Sequence, residues 1–466
     1  MSTKFSGNVV FDIKGKPYIL NGIIGRGAQG VVYNEQQGEL VIKISSTASL
    51  AQREELKRRY QWLYENLGNI NAPIAGPLAL LANPYIGYVM KRVKGHLPFT
   101  TLLIPTPDTS LGKWYNQETG GLKRRLILGA LLARAFRSLH TSGLAYCDLS
   151  DTNILVAKDV KKFSVVLIDS DNLSVPGLAE TLVLGTPLYM APEILCETHQ
   201  PDSLTDSHSL AVLLFMLLHL NHPLLGDVVQ EGPPEFEEQA LQGNFPYIYD
   251  PADSSNRSRT ALPLEAVCTS RLTELFRRAF VEGLKNRTSR PTPGEWEEAC
   301  WLAADSTTIC GNCGASFYPR AISGNKKFCQ CPWCSNLILV PALMIFSEVT
   351  GEASNLKKID QNSSVIVLRS SPIAIKARHA FRGFFGGEGD QIVAKILWDQ
   401  GKKSYEIENT GSGLIYLMRP VDKSLFELRE GKSTLIPNGT QIYFDKLSKS
   451  SVTRSAKLYD AEKGAE

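Results

Sequence analysis

The chain has 466 residues, enough for roughly two to four domains, and its 43% apolar content is ordinary for a protein that buries sizeable cores. Its 50 basic and 47 acidic side chains leave a net charge of +3, which gives no reason to expect nucleic acid or an anionic membrane as a partner. The nine cysteines form no even disulfide framework; five crowd between Cys310 and Cys334, which points to a metal in a reducing compartment.

Met1-Ser2-Thr3-Lys4 opens no apolar signal core, and the apolar run Leu210 to Leu220 is too short to span a bilayer, so a cytoplasmic location is expected. Val9-Val10-Phe11 and Tyr18-Ile19-Leu20 read as strands. Gly25, Gly27 and Gly30 follow, at a spacing that lets a hairpin backbone lie close over phosphates. A plain glycine-rich turn is the alternative. A dinucleotide-binding loop would open a helix, whereas Val31-Val32-Tyr33 continues as strand. Val41-Ile42-Lys43-Ile44 is an apolar strand whose lysine must be paired if buried. Leu50 to Leu67 is helical, with Leu56, Tyr60 and Leu63 near one face. Pro77 to Leu81 and Tyr85 to Val93 read as a hairpin, and Leu122 to His140 as a helix with Leu126, Ala130 and Leu131 in its apolar stripe.

That helix delivers the chain to Tyr146-Cys147-Asp148-Leu149-Ser150-Asp151-Thr152-Asn153 and the strand Ile154-Leu155-Val156. An Asp and an Asn five residues apart on such a loop suit phosphoryl transfer. Asp148 can accept the proton of an attacking hydroxyl, and Asn153 can hold Mg²⁺. A solvated loop whose Asp and Asn make turns is the alternative. Val165-Val166-Leu167-Ile168-Asp169 supplies a second acid at the end of a buried strand.

The order of these motifs resembles the protein kinase superfamily, bacterial-type Ser/Thr kinase domains in particular. In that family the loop reads H-R-D-L-x-x-x-N and the next acid belongs to D-F-G. The resemblance implies Asp148 as base, with Asn153 and Asp169 on Mg²⁺. It implies that Lys43 contacts the ATP phosphates and pairs with a helix Glu, for which Glu55 is chosen over Glu54. An exposed pairing of either Glu with Arg58 or Arg59 is the alternative. It further implies Met90 as gatekeeper, with backbone groups of Lys91 and Val93 on the adenine edge. Gly185 to Glu193 resembles the segment ending in A-P-E, with Arg290 as partner of Glu193, and Asp206 orients the catalytic loop backbone. Three departures stand out. Cys147 replaces the Arg that receives an activation-loop phosphate, so phosphorylation of Thr181 or Thr186 is not expected to switch activity. Ser150 stands where Lys is common, and Ser170-Asp171 replaces Phe-Gly.

Beyond Trp301, Cys310-Gly311-Asn312-Cys313 and Cys331-Pro332-Trp333-Cys334 are two C-x-x-C knuckles separated by 17 residues. Four thiolates on two tight turns make a closed, structural Zn²⁺ site, with Cys329 the rival of Cys331. Short strands separated by Gly and Asn turns then run from 340 to 450 and suggest an antiparallel sandwich. This part loosely resembles forkhead-associated (FHA) domains: Arg378-His379-Ala380 matches part of S-R-x-H, but Ala377 offers no hydroxyl.

The expected fold is α+β: a bilobal kinase-like domain (8–303), a zinc ribbon (304–340), an FHA-like β-sandwich (341–450) and a frayed tail (451–466). The expected function is an ATP- and Mg-dependent Ser/Thr protein kinase whose sandwich is a separable docking module for a protein partner. A pseudokinase scaffold and a small-molecule kinase are the alternatives.

Overall fold

The computed structural model describes residues 9–27, 30–47, 49–174, 185–322, 325–352, 355–359, 364–368, 372–381, 383, 386–448 and 451–460. The first unit is an antiparallel sheet in the order β1 (Val9–Phe11), β2 (Pro17–Gly27), β3 (Gly30–Glu35), β4 (Leu40–Ser45), β6 (Gly87–Lys91), β5 (Ala79–Leu80). β4 is covered on both faces. Ile42 and Ile44 join Val10, Tyr18, Tyr33 and Val89 in one apolar cluster. Val41 joins a second cluster with Tyr60, Leu63 and Leu67. Tyr60 and Leu63 are the buried stripe of helix α1 (Leu50–Asn66), which Ser49 caps by accepting from the Gln52 amide.

The second unit is helical. α2 (Gly121–Thr141) packs against α3 (Ser203–His219) and α4 (Pro293–Asp305). Capping boxes fix where the last two begin: Asp202 with Thr205, and Thr292 with Glu295. Beside α2 lies a small sheet of β7 (His96–Pro98), β8 (Ile154–Ala157) and β9 (Val165–Leu167), whose connections carry the Asp148 loop and Asp169. Helices and several sheets thus share the chain, as an α+β class requires. No helix among the described residues is long and apolar enough to cross a membrane.

The four knuckle cysteines sit on the hairpin β10 (Thr308–Ile309) with β11 (Ser316–Phe317), and beside the sheet β12 (Ala321–Ile322), β13 (Asn325–Gln330) and β14 (Leu337–Leu339). This unit rests on the helical lobe. Trp333 stacks on Tyr115 at 5.0 Å between ring centroids, and the Lys123 amide donates to Ser316 Oγ at 2.9 Å.

Two further sheets enclose one apolar cluster that includes Met344, Ile396, Ile407, Leu417 and Ile442. One contains β15 (Ala342–Glu352), β16 (Asn355–Lys358), β17 (Ser364–Leu368), β21 (Ile415–Met418), β22 (Leu425–Leu428), β24 (Gln441–Tyr443) and β25 (Val452–Tyr459). The other is β18 (Ile373–Lys376), β19 (Ile392–Asp399), β20 (Ser404–Asn409) and β23 (Ser433–Ile436). Two expectations need correction. The tail is not frayed over 452–459: β25 pairs with β15 from Leu343↔Tyr459 to Thr350↔Val452, burying Ala456 and Leu458 in the shared cluster. Nor is the expected separable module without contact to the helical lobe. Arg454 reaches Glu298 of α4 at 2.8 Å, and Arg378 reaches Asp305 at 3.0 Å.

Candidate active site

Lys43 lies on β4 opposite Val32 and Tyr88. β6 can run this close only because residue 87 is glycine. Its φ is +153°, and a Cβ there would meet the Lys43 carbonyl oxygen at 1.9 Å. Lys43 is 5% exposed, so its ammonium needs a counter-charge. Asp169 Oδ1 lies at 2.6 Å and Asp171 Oδ2 at 2.8 Å. Burial alone pushes the Lys43 ammonium down; the charges of Asp171 and Asp169, with their hydrogen bonds, outweigh it and hold the group above the usual lysine value.

The pairing of Lys43 with Glu55 is therefore corrected. Glu55 is not among the partners of Lys43, and its Oε1 is buried without a hydrogen bond. The physical reason is Asp171, which already occupies the lysine. Tyr60 and Tyr88 donate their hydroxyls to its two oxygens, each at 2.7 Å. Burial first, and then the Asp171 charge, keep both phenols protonated and so donating.

Asp169 adopts left-handed backbone angles, φ 63° and ψ 70°, and starts a single turn, Ser170–Asn172. That turn also meets the base loop. Asn172 Nδ2 donates to Asp148 Oδ2 at 3.0 Å, and Asn153 Nδ2 donates to the Asp148 carbonyl at 2.9 Å and to Oδ2 at 3.3 Å. Burial pushes the Asp148 carboxyl up to about 6; the amide of Asn172 opposes this and the charge of Asp169 adds to it. A carboxylate so poised can take a proton near neutral pH. The loop backbone hangs on Asp206, whose two oxygens accept from the amides of Tyr146 at 2.6 Å and Cys147 at 2.9 Å. Cys147 is held at φ 68°. His140 Nε2 lies 3.0 Å from the same carboxylate.

Lys43, Asp148, Asn153 and Asp169 thus converge, while Glu55 stands outside the set. Gly27 pairs with Gly30 at the tip of the β2–β3 hairpin and Gly25 with Val32; Ala28 and Gln29 lie outside the described residues. Lys91 closes β6 opposite Leu40, with Val93 just beyond the strand. Arg290 grips Glu193 through two bonds of 2.6 and 2.7 Å. Thr181 lies outside the described residues. Sequence reasoning did not assign roles to Asp171, Asn172, Tyr60 or Tyr88. The available signal was the departure at Ser170-Asp171, two polar residues where the family has Phe-Gly.

At the second site, Cys310, Cys313, Cys331 and Cys334 bring their Sγ atoms within 4.8 Å of one another. Cys331 belongs to the group; Cys329 is buried on β13 and does not. Arg378, the residue matching an FHA phosphate ligand, is 5% exposed, bound to Asp305 and Asp390, and lies over the Trp301 ring at 4.6 Å.

Residues 115–296 match the family model described as the protein kinase domain, and a kinase domain is present there. The match begins after Lys43 and includes the Asp148 loop, Asp169 and Arg290. The chain is 26% identical over 271 residues to the DNA damage-responsive serine/threonine-protein kinase RqkA of Deinococcus radiodurans, covering 56% of this chain and 37% of that one. It is 27% identical over 242 residues to myosin light chain kinase A of Dictyostelium discoideum, covering 50% and 75%. With calcium-dependent protein kinase 4 of Solanum tuberosum it shares 26% over 266 residues, covering 54% and 43%. The chain thus spans less than half the length of two of these three relatives.

Proposed function

We propose that the chain is an ATP- and Mg²⁺-dependent serine/threonine protein kinase acting in cytoplasmic signalling. The observation that carries this reading is the convergence of Lys43, Asp148, Asn153 and Asp169 from three separate stretches. Asp148 is the base that takes the acceptor hydroxyl proton. Asn153 and Asp169 are the groups that would hold Mg²⁺, which when bound neutralises phosphate charge. Lys43 and the Gly25–Gly30 loop grip the phosphates, and backbone groups of Lys91 and Val93 receive the adenine. The Glu193–Arg290 pair favours a protein over a small-molecule substrate, because it anchors the A-P-E segment of protein kinases. A second reading, a scaffold that binds ATP without transfer, draws on Cys147 and on the engagement of Lys43 by two carboxylates.

The four cysteines would hold a structural Zn²⁺. A tetrahedron with Zn–S near 2.3 Å has S···S edges of ~3.8 Å, and the pairs Cys310–Cys334 and Cys313–Cys331 lie at 3.6 and 3.7 Å. The two C-terminal sheets form a sandwich that offers a surface to a protein partner; neither nucleic acid nor membrane is expected to bind. The test is incubation of the purified chain with γ-labelled ATP and Mg²⁺, followed by mapping of phosphosites. Incorporation that Lys43→Met abolishes supports the kinase; nucleotide binding with no incorporation in the chain or in casein supports the scaffold.

A further inference from the structure

A buried lysine that grips phosphates needs a counter-charge that stays in place when the nucleotide and metal arrive. Asp169 cannot fill that role under the proposed function, because its carboxylate is then engaged by the metal. Asp171 can. It is 3% exposed, lies 2.8 Å from Lys43 Nζ, and has both oxygens fixed by phenolic donors at 2.7 Å. Those donors come from two different elements, Tyr60 on α1 and Tyr88 on β6. Their rings meet edge to face at 5.0 Å, and Ser45 Oγ lies 2.6 Å from the Tyr60 hydroxyl. The carboxylate is thus locked from the helix, the sheet and the turn after Asp169 at once. Glu55, the acid that α1 would otherwise contribute, is not used.

We infer that Asp171, held by Tyr60 and Tyr88, is the positioning residue of Lys43 and takes the place of a helix glutamate. This rests on the nucleotide-binding reading above. It makes two tyrosine hydroxyls part of the apparatus that aims Lys43 at a nucleotide's phosphates, with no part in holding the nucleoside.

The discriminating experiment compares MgATP with adenosine, which lacks phosphates. Binding to the full-length chain is measured by calorimetry for MgATP and by ligand-observed NMR for adenosine. Asp171→Asn keeps the shape and removes the charge; it is expected to weaken MgATP about tenfold, the scale of one charge-assisted bond. Tyr60→Phe and Tyr88→Phe are each expected to weaken it about threefold. Adenosine affinity should hold in all three. Should Asp171→Asn fold poorly, as judged by its melting temperature, the two Phe variants carry the test. Equal losses for MgATP and adenosine would mark a merely structural role and overturn the inference. So would a larger loss of MgATP affinity in Glu55→Gln than in Asp171→Asn. Wild-type binding that the Asp171 and Tyr variants leave intact overturns the inference alone. No MgATP binding by the wild type overturns the nucleotide reading and the inference with it.

Discussion

Asp305, the last residue of α4, accepts from Arg378 Nη2 at 3.0 Å and lies 2.8 Å from His379 Nε2. Arg378, the one residue that matches the S-R-x-H pattern, is thus held by a carboxylate from the helical lobe. Arg134 and Arg137 on α2 extend the network to Glu297, and Arg134 continues to Asp390. Asp305→Ala leaves Arg378 and His379 buried without that carboxylate. We expect a loss of about 3–5 kcal/mol in denaturant unfolding, with faster proteolysis within residues 341–460. Phosphothreonine peptides should not bind the wild-type chain in fluorescence anisotropy, because Asp305 holds the guanidinium. Unchanged unfolding of Asp305→Ala would mean that the two units are energetically independent.

Glu193 and Arg290 form the corresponding lock inside the lobe. Burial raises the Glu193 carboxyl, but the hydrogen bonds and charge of Arg290 outweigh this, so its folded value falls below the ordinary 4.5. The unfolded state therefore takes up protons first as pH falls. The stabilisation is fully present above about pH 4.5 and is lost as pH drops through the lowered folded value. Glu193→Gln should flatten that acid limb of the stability profile and lower stability at pH 7, as read by thermal unfolding from pH 3 to 7.

Asp148→Asn keeps an oxygen for the amides of Asn153 and Asn172 while removing the carboxylate proposed as proton acceptor. Phosphate transfer should fall about 10²–10⁴-fold while MgATP affinity is retained. Asn172→Ala, which takes away one amide from Asp148 Oδ2, should reduce transfer by less. Transfer at the wild-type rate by Asp148→Asn would refute its assignment as base.

Zinc analysis should find one equivalent per chain, bound by the four clustered thiols. Because Trp333 lies between Cys331 and Cys334 and stacks on Tyr115, chelation should shift the tryptophan emission. Cys313→Ser should loosen residues 305–340 without removing any group of the Lys43–Asp148 cluster. Metal-free protein with unchanged emission and equal protease resistance would contradict this.

Features set within a few residues of chain were legible in the sequence alone. Asp148 and Asn153 share one loop, each knuckle is a single turn, and the stripe of α1 is a local pattern. A short-range pattern dictates backbone shape directly, so residue type and spacing suffice. The partner of Lys43 was different. The sequence argument weighed Glu54 and Glu55, and only packing brought Asp171 to the lysine. Tyr60 and Tyr88 lie far from Asp171 in the chain, and their hydroxyls converge on it because α1 and β6 pack side by side. The same holds for Val452–Tyr459, whose charged, unremarkable composition reads as tail. It becomes strand because the edge of β15 leaves backbone groups to be paired and the apolar cluster leaves room for Ala456 and Leu458. Arg378 looked like a ligand-binding side chain; its use was decided by Asp305, a carboxylate 73 residues earlier that the fold delivers to it.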